Sequence, residues 1–223
     1  VVSRLARRSG YAIAGILELL KWKPDIVYQV GVGCHHAEIE VMLEEWPDVK
    51  LIGCEPHPAI MRGLVKGDYP GELHEIAVSD TIGKKAFFSK DNHKDGSSLF
   101  PLEKNTTEIV VDVSTLDALF LTESTGKNIL LWLDCEGSEL DALKGGERFL
   151  ELVEVINIEM TSKVLGEGGC GLMETHRWLV DHGFKRQCDH TKRSSAGQCD
   201  AVYVRHHLWN GDYCTSPCSF MGV

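Results

Sequence analysis

Residues 128–140, Asn-Ile-Leu-Leu-Trp-Leu-Asp-Cys-Glu-Gly-Ser-Glu-Leu, restrict the possible folds more than any other stretch of the chain. An apolar run of strand length ends at Asp134 and Glu136, passes a glycine and enters a helix. Such a run suits a strand buried on both faces, as in a parallel sheet covered by helices. Ser138 with Asp141 reads as the helix N-cap and its capping-box partner. Ligands of open α/β sheets bind beyond the carboxyl ends of the strands, so two acids at this edge point to a site.

The rest of the chain repeats the strand-to-helix alternation. Residues 25–31, 49–54, 72–78, 129–134 and 153–160 read as strands, and 3–20, 36–45, 58–66, 138–150 and 173–182 as helices. The helix over 138–150 is expected to break near Gly145-Gly146, and residues 184–189 and 200–205 form a closing pair of strands. This predicts an α/β fold with a mostly parallel, doubly wound sheet and an antiparallel closing strand. Residues 84–100 interrupt the rhythm with a short strand over 85–89 and a polar loop over 91–98. That loop is either a lid over a ligand or plain surface. A strand over 109–113 follows, with Ser114 and Asp117 as a second capping box. One domain accounts for residues 1–223: an N-terminal helix in 1–24, a core over 25–207 and an extension over 208–223 without clear period.

Composition removes several classes of function. A formal net charge of −10 argues against a broad electrostatic grip on nucleic acid or an anionic membrane. No apolar stretch reaches the length of a membrane span, and no cleavable signal is visible, although the chain starts at Val1. Eight scattered cysteines read as free thiols in a reducing cytoplasm. The alternative is a zinc site built from Cys188, His190, His206, His207, Cys214 and Cys218, whose spacing matches no compact knuckle.

A second motif, Val27-Tyr-Gln-Val-Gly31-Val-Gly33-Cys34-His35, turns an apolar strand through two glycines. Glycines let the backbone pass close to a ligand, and the following helix presents N–H groups. The next strand ends in Glu55, where a carboxylate can accept from both hydroxyls of a ribose. Together they point to a cofactor containing adenosine. A dinucleotide would call for a third glycine against its pyrophosphate, and His35-His36-Ala37 stand there instead. S-adenosylmethionine makes no such demand, which favours methyl transfer over hydride transfer.

In order along the chain stand Gly31-Val-Gly33, Cys54-Glu55-Pro56-His57-Pro58, Ala77-Val78-Ser79-Asp80 and Gly96-Ser97-Ser98-Leu99. Ser114-Thr115-Leu116-Asp117, Leu133-Asp134-Cys135-Glu136-Gly137-Ser138-Glu139, Leu143-Lys144-Gly145 and Ile158-Glu159 follow. With Ala201-Val-Tyr-Val-Arg205 as the last strand, this series resembles the FkbM family of methyltransferases. The resemblance implies a Rossmann-like class I fold and S-adenosylmethionine-dependent methylation, usually of a hydroxyl oxygen on a small molecule or sugar. It implies that Gly31, Gly33 and Cys34 pass beneath the methionine part of the cofactor, and that Glu55 holds the ribose with Pro56 and His57 beside it. Ala77 and Val78 would border the adenine. Asp134 and Glu136 would sit beside the sulfonium and the acceptor, with Glu159 facing them. Gln29 replaces an acid usual in the family, and His35 replaces a glycine.

Alkylation of a hydroxyl needs alignment and a group to take the proton. Glu136 is the first candidate for that base, Asp134 is placed for the cofactor's positive end, Glu159 and His35 are secondary candidates, and Glu139 reads as ordinary first-turn helix charge. His35 can equally point into solvent. A divalent cation held by Asp134, Glu136 and Glu159 is possible but not required by the spacing. Two other readings stay open: a non-catalytic module that binds the cofactor, motivated by Gln29 and His35, and a nicotinamide-dependent oxidoreductase. Acceptor identity and oligomeric state have no readable code.

Overall fold

The computed structural model describes residues 4–34, 37–90, 96–101, 105–161, 171–189 and 198–209. Along the chain run α1 (Arg4–Leu19), β1 (Ile26–Val30), α2 (Ala37–Glu45), β2 (Lys50–Cys54), α3 (Pro58–Lys66), β3 (Glu72–His74), β4 (Ala77–Val78) and β5 (Gly83–Lys90). They are followed by β6 (Thr106–Ser114), α4 (Leu116–Phe120), β7 (Ile129–Leu133), α5 (Glu139–Lys144) and α6 (Glu147–Leu150). The last elements are β8 (Val153–Thr161), α7 (Leu172–Asp181), β9 (Phe184–Asp189) and β10 (Gln198–Arg205).

The main sheet has the order β3-β2-β1-β7-β8-β10-β9. Strands β3, β2, β1, β7 and β8 run parallel, and β10 is antiparallel to both neighbours. The antiparallel closing strand expected from the sequence is therefore β10. Every residue of β1 and β7 is buried, because both faces of the sheet are covered. Alternate residues divide between the faces as the strand period requires. Tyr28, Leu131 and Leu133 join Phe120 and Phe149 in one core, while Val27, Leu130 and Trp132 meet Ile13, Leu17 and Ile39 in the other. The N-terminal helix is thus part of the core. Gly10 lets it close on α2, since a β-carbon there would lie 2.9 Å from the Glu38 carbonyl oxygen.

Three expectations need correction. Residues 72–78 are two strands in two sheets: β3 pairs with β2, and β4 joins a second sheet of order β4-β6-β5. The chain breaks between them where the Ile76 N–H bonds back to the His74 carbonyl. Strands β5 and β6 pair over their whole lengths from Gly83↔Val113 to Lys90↔Thr106, a non-local contact that period alone cannot reveal. At α4 the cap is Thr115, whose hydroxyl accepts from Ala118 N, while Asp117 accepts from Phe149 N. At α5, Ser138 makes no side-chain cap. The break at Gly145-Gly146 is as expected, and close packing explains it: a β-carbon on Gly145 would lie 2.1 Å from the Ser79 carbonyl oxygen.

Among the described residues no helix is long and apolar enough to cross a membrane. Cys34, Cys54, Cys135 and Cys199 take part in no disulfide. His35, the polar loop over 91–95, and His190, Cys214 and Cys218 of the conceived zinc set lie outside the described residues.

Candidate active site

The order in which strands are added to the main sheet reverses between β1 and β7, since β2 and β3 lie on one side and β7 and β8 on the other. That reversal opens a crevice at the carboxyl ends of the two strands, the usual ligand position in such sheets. Val30 pairs with both Cys54 and Leu133, so Gly31, Glu55 and Asp134 all emerge one residue past the same level. Register alone brings together residues from three distant parts of the chain. A cavity occupies this crevice, lined by Gln29, Gly31, Gly33, Cys34, Glu55, Pro56, Ala77, Val78, Asp134 and Glu136 among others.

At its glycine end the backbone is tightly determined. Gly31 has φ +83°, and a β-carbon there would fall 1.8 Å from the Asp134 carbonyl oxygen. Its glycine is thus demanded first by the approach of β7, whatever ligand lies above. Gly33 has φ +66° and donates its N–H to Glu55 Oε2 at 2.9 Å. Glu55 Oε1 accepts from His57 N at 2.8 Å, so one buried carboxylate ties the glycine turn to the start of α3. His57 lies behind Glu55 and not on the cavity wall. Its Nδ1 accepts from Ala59 N, which leaves the proton on Nε2 to donate to Ser89 Oγ at 2.8 Å. Gln29, where the family usually has an acid, is buried and accepts from the Tyr69 hydroxyl at 3.1 Å.

The opposite end is acidic. Asp134, Glu136 and Glu159 each bring a carboxylate oxygen within 4.8 Å of the other two, an arrangement that could hold a divalent cation. Asp134 faces the open cavity, so water reaches it there while protein crowds its other sides. Its pKa is driven well above the carboxylate range by burial, then by repulsion from Glu159 and Glu136. Glu159 is pushed up to about 9 by burial, then by Glu136 and Asp200, against a hydrogen bond from Gln198. Gln198 Nε2 reaches Glu159 at 3.2 Å and Glu136 at 3.5 Å.

Several contributors were not expected from the sequence. Gln198 comes from β10, which the fold sets beside β8 with Asp200 opposite Glu159. Ile60, Ile76 and Phe87 give the cavity an apolar wall, partly from the second sheet. Gly96 is confined between two charges: a β-carbon there would lie 2.6 Å from Lys90 Nζ and 3.3 Å from Glu136 Oε1. Glu139, read as ordinary first-turn charge, is instead 4% exposed and accepts from backbone N–H groups of the acidic turn. The Gly96-Ser97-Ser98 and Glu136-Gly137-Ser138-Glu139 motifs were the available signals, but neither carries its contacts in its spacing.

A buried parallel sheet with its cavity at the reversal of strand order, closed by an antiparallel strand, is the architecture of class I methyltransferases. Solved structures of similar fold include methyltransferase FkbM from Methylobacillus flagellatus KT, with a TM-score of 0.53 at 11% identity over 82% of this chain. This chain spans only 43% of that one. The plantazolicin methyltransferase BpumL, in complex with S-adenosylhomocysteine, gives a TM-score of 0.53 at 10% identity, covering 90% of this chain and 84% of that one. Fibrillarin from Aeropyrum pernix, with natively bound S-adenosylmethionine, gives 0.51 at 13% identity, covering 89% of this chain and 76% of that one. No curated protein matches the sequence. The methyltransferase FkbM domain model matches residues 25–186, most of the chain. This chain belongs to the FkbM methyltransferase family, whose cofactor is S-adenosylmethionine.

Proposed function

We propose that this protein is an S-adenosylmethionine-dependent O-methyltransferase acting on a hydroxyl of a neutral small molecule or sugar. One observation carries the reading. The charged residues lining the cavity are Glu38, Glu55, Asp134 and Glu136, and no described lining residue is Lys, Arg or His. Such a surface suits a sulfonium cation and repels the pyrophosphate of a nicotinamide dinucleotide. The same sign disfavours an anionic acceptor. The apolar side chains of Ile60, Ile76 and Val78 suit an adenine ring, and Glu55 stands where ribose hydroxyls can donate to it. The absence of a disulfide at Cys34, Cys54, Cys135 and Cys199 fits a reducing compartment such as the cytoplasm.

The bound cofactor supplies an electrophilic methyl carbon on a positively charged sulfur. An acceptor oxygen bonding to that carbon would displace S-adenosylhomocysteine as the carbon–sulfur bond broke, and the hydroxyl proton would need a group of this chain to take it. Burial and its acidic neighbours push the Glu159 pKa up to about 9, which favours its protonated form at neutral pH. Glu136 is therefore the group we assign as base, with the Gln198 amide donating to it and to Glu159. Asp134 would face the cofactor's positive sulfur, a charge that would offset the burial and the acidic neighbours that raise its pKa. A divalent cation among the three acids is a second reading, favoured by their convergence. It would lower the acceptor's pKa in place of a protein base.

The test joins binding to transfer. S-adenosylmethionine and S-adenosylhomocysteine are expected to raise the melting temperature, whereas NAD does not. Labelled methyl should pass to neutral polyhydroxylated acceptors without added metal, or only with it if the cation reading holds. Cofactor binding with no transfer across a broad acceptor panel would instead support a non-catalytic module.

A further inference from the structure

The turn that presents the cavity acids is organised by a buried carboxylate with no place in the chemistry above. Glu139, the first residue of α5, is 4% exposed. Its Oε1 accepts from Cys135 N at 2.9 Å, and both its oxygens accept from Gly137 N at 3.1 Å. These N–H groups flank Glu136. A glutamate that begins a helix ordinarily serves the helix itself, through its first-turn N–H groups or the dipole. Here the bonds run backwards, to two residues that precede α5. Ser138, the N-cap by position, makes no cap, and its hydroxyl is buried without a partner.

Glu136 needs such support. Its φ of +52° lies in the left-handed region, where a β-carbon crowds the following carbonyl. Non-glycine residues persist there only when the surroundings over-determine them. The neighbouring Gly137 has φ +99°, so two successive left-handed residues form the turn. Its other side is held by Ser98, a fully buried residue whose hydroxyl donates to the Glu136 carbonyl oxygen at 2.8 Å.

We propose that Glu139 is a positioning residue: it folds the turn around its carboxylate and, with Ser98, aims the Glu136 side chain into the cavity. This rests on the reading of Glu136 as the acceptor-facing base. Without Glu139, the N–H groups of Cys135 and Gly137 lose their acceptor in a part-buried turn. Restoring their hydrogen bonds requires the backbone to rearrange, and the left-handed state of Glu136 goes with it. Burial pushes the Glu139 pKa up to about 7, while backbone bonds from its own N–H and from those of Gly137 and Cys135 act against that rise and favour the carboxylate. The carboxylate form is thus the one the turn is built to hold.

The experiment has two arms on Glu139→Ala, Glu136→Gln and the double variant, with circular dichroism to verify folding. In the first arm, amide exchange of Cys135 and Gly137 is followed without cofactor. Glu139→Ala should speed it about tenfold or more while the β1 and β7 amides stay protected. In the second arm, calorimetry gives the preference for S-adenosylmethionine over S-adenosylhomocysteine, which reports how near the carboxylates stand to the sulfonium. Glu136→Gln should lower this preference about tenfold, Glu139→Ala should do much the same, and the double variant should add little. A through-space charge effect of Glu139, or a general loosening, would make the two losses multiply. Multiplying losses, or wild-type amide protection in Glu139→Ala, would overturn the proposal. Should Glu139→Ala fail to fold, Glu139→Gln retains one acceptor oxygen and carries both readouts. If the wild-type chain binds neither ligand, the methyltransferase reading falls, and the exchange arm still decides the role of Glu139.

Discussion

At the glycine end of the cavity, Glu55 receives backbone N–H groups from Gly33 and His57. At the acidic end, Asp134, Glu136 and Glu159 face one another, with the Gln198 amide between two of them. Both ends bring carboxylates into a crevice, yet backbone donors stabilise the charge in one, while crowding in the other favours a proton or a cation. The difference teaches which acids shape the site and which are poised to change state in it. Glu139 sits in sequence among the reactive acids but behaves like Glu55, a buried carboxylate supplied with backbone donors. Its neighbours in sequence are a poor guide to its role.

Gly31 joins the two ends, and its replacement should have the largest effect. In Gly31→Ala the β-carbon meets the Asp134 carbonyl at 1.8 Å on a backbone with φ +83°, so β1 and β7 cannot both stay in place. A loss of about 4 kcal/mol or more, seen as an insoluble or unfolded chain, is expected. Gly126→Ala is the control: it also has positive φ, +73°, but open space around it, and should cost about 1 kcal/mol in urea unfolding.

The next contrast separates the ends by function. Glu55→Ala should weaken S-adenosylhomocysteine binding roughly ten- to a hundredfold by calorimetry. Glu136→Gln should leave that binding nearly intact while methyl transfer falls about a hundredfold or more. Equal loss of binding in both variants would erase the distinction drawn between the two ends.

A smaller effect concerns pH. Glu159 titrates near 9 in the folded chain against an ordinary value of 4.5. Between those values the folded state keeps a proton that the unfolded state has released, so stability falls as pH rises through this window. Asp134 and Glu139, raised in the same direction, add to the slope. Glu159→Gln, which mimics the protonated form, should flatten the curve and melt a few degrees above wild type near pH 8.5. An unchanged slope would mean that Glu159 is ionised at neutral pH.

Much of this arrangement was legible in the chain. Apolar runs ending in Gly31, Glu55 and Asp134 announced three strand ends, and parallel register then had to bring them level. The second sheet was not legible, because β5 and β6 recognise each other across residues whose local pattern says only that each is a strand. Glu75-Ile76 concealed the split between β3 and β4, since nothing in residues 72–78 resembles a turn. Gln198 reaches the acids only because β10 pairs antiparallel with β8, a contact fixed by topology. Glu139 was misread for a physical reason: the first turn of a helix is where an acid is ordinarily at home, so its position offered no hint of the backward bonds.

Proton-linked calorimetry of S-adenosylmethionine tests the central claim, that the acidic end of this cavity awaits a positive charge. Titrations at neutral pH in two buffers of different ionisation enthalpy report the protons exchanged on binding. The account predicts binding with net proton release, because a cation beside the three acids lowers the Glu159 pKa from about 9, and smaller release with S-adenosylhomocysteine, whose sulfur is uncharged. Absence of binding for both ligands at millimolar concentration, or equal proton exchange for the two, would contradict it.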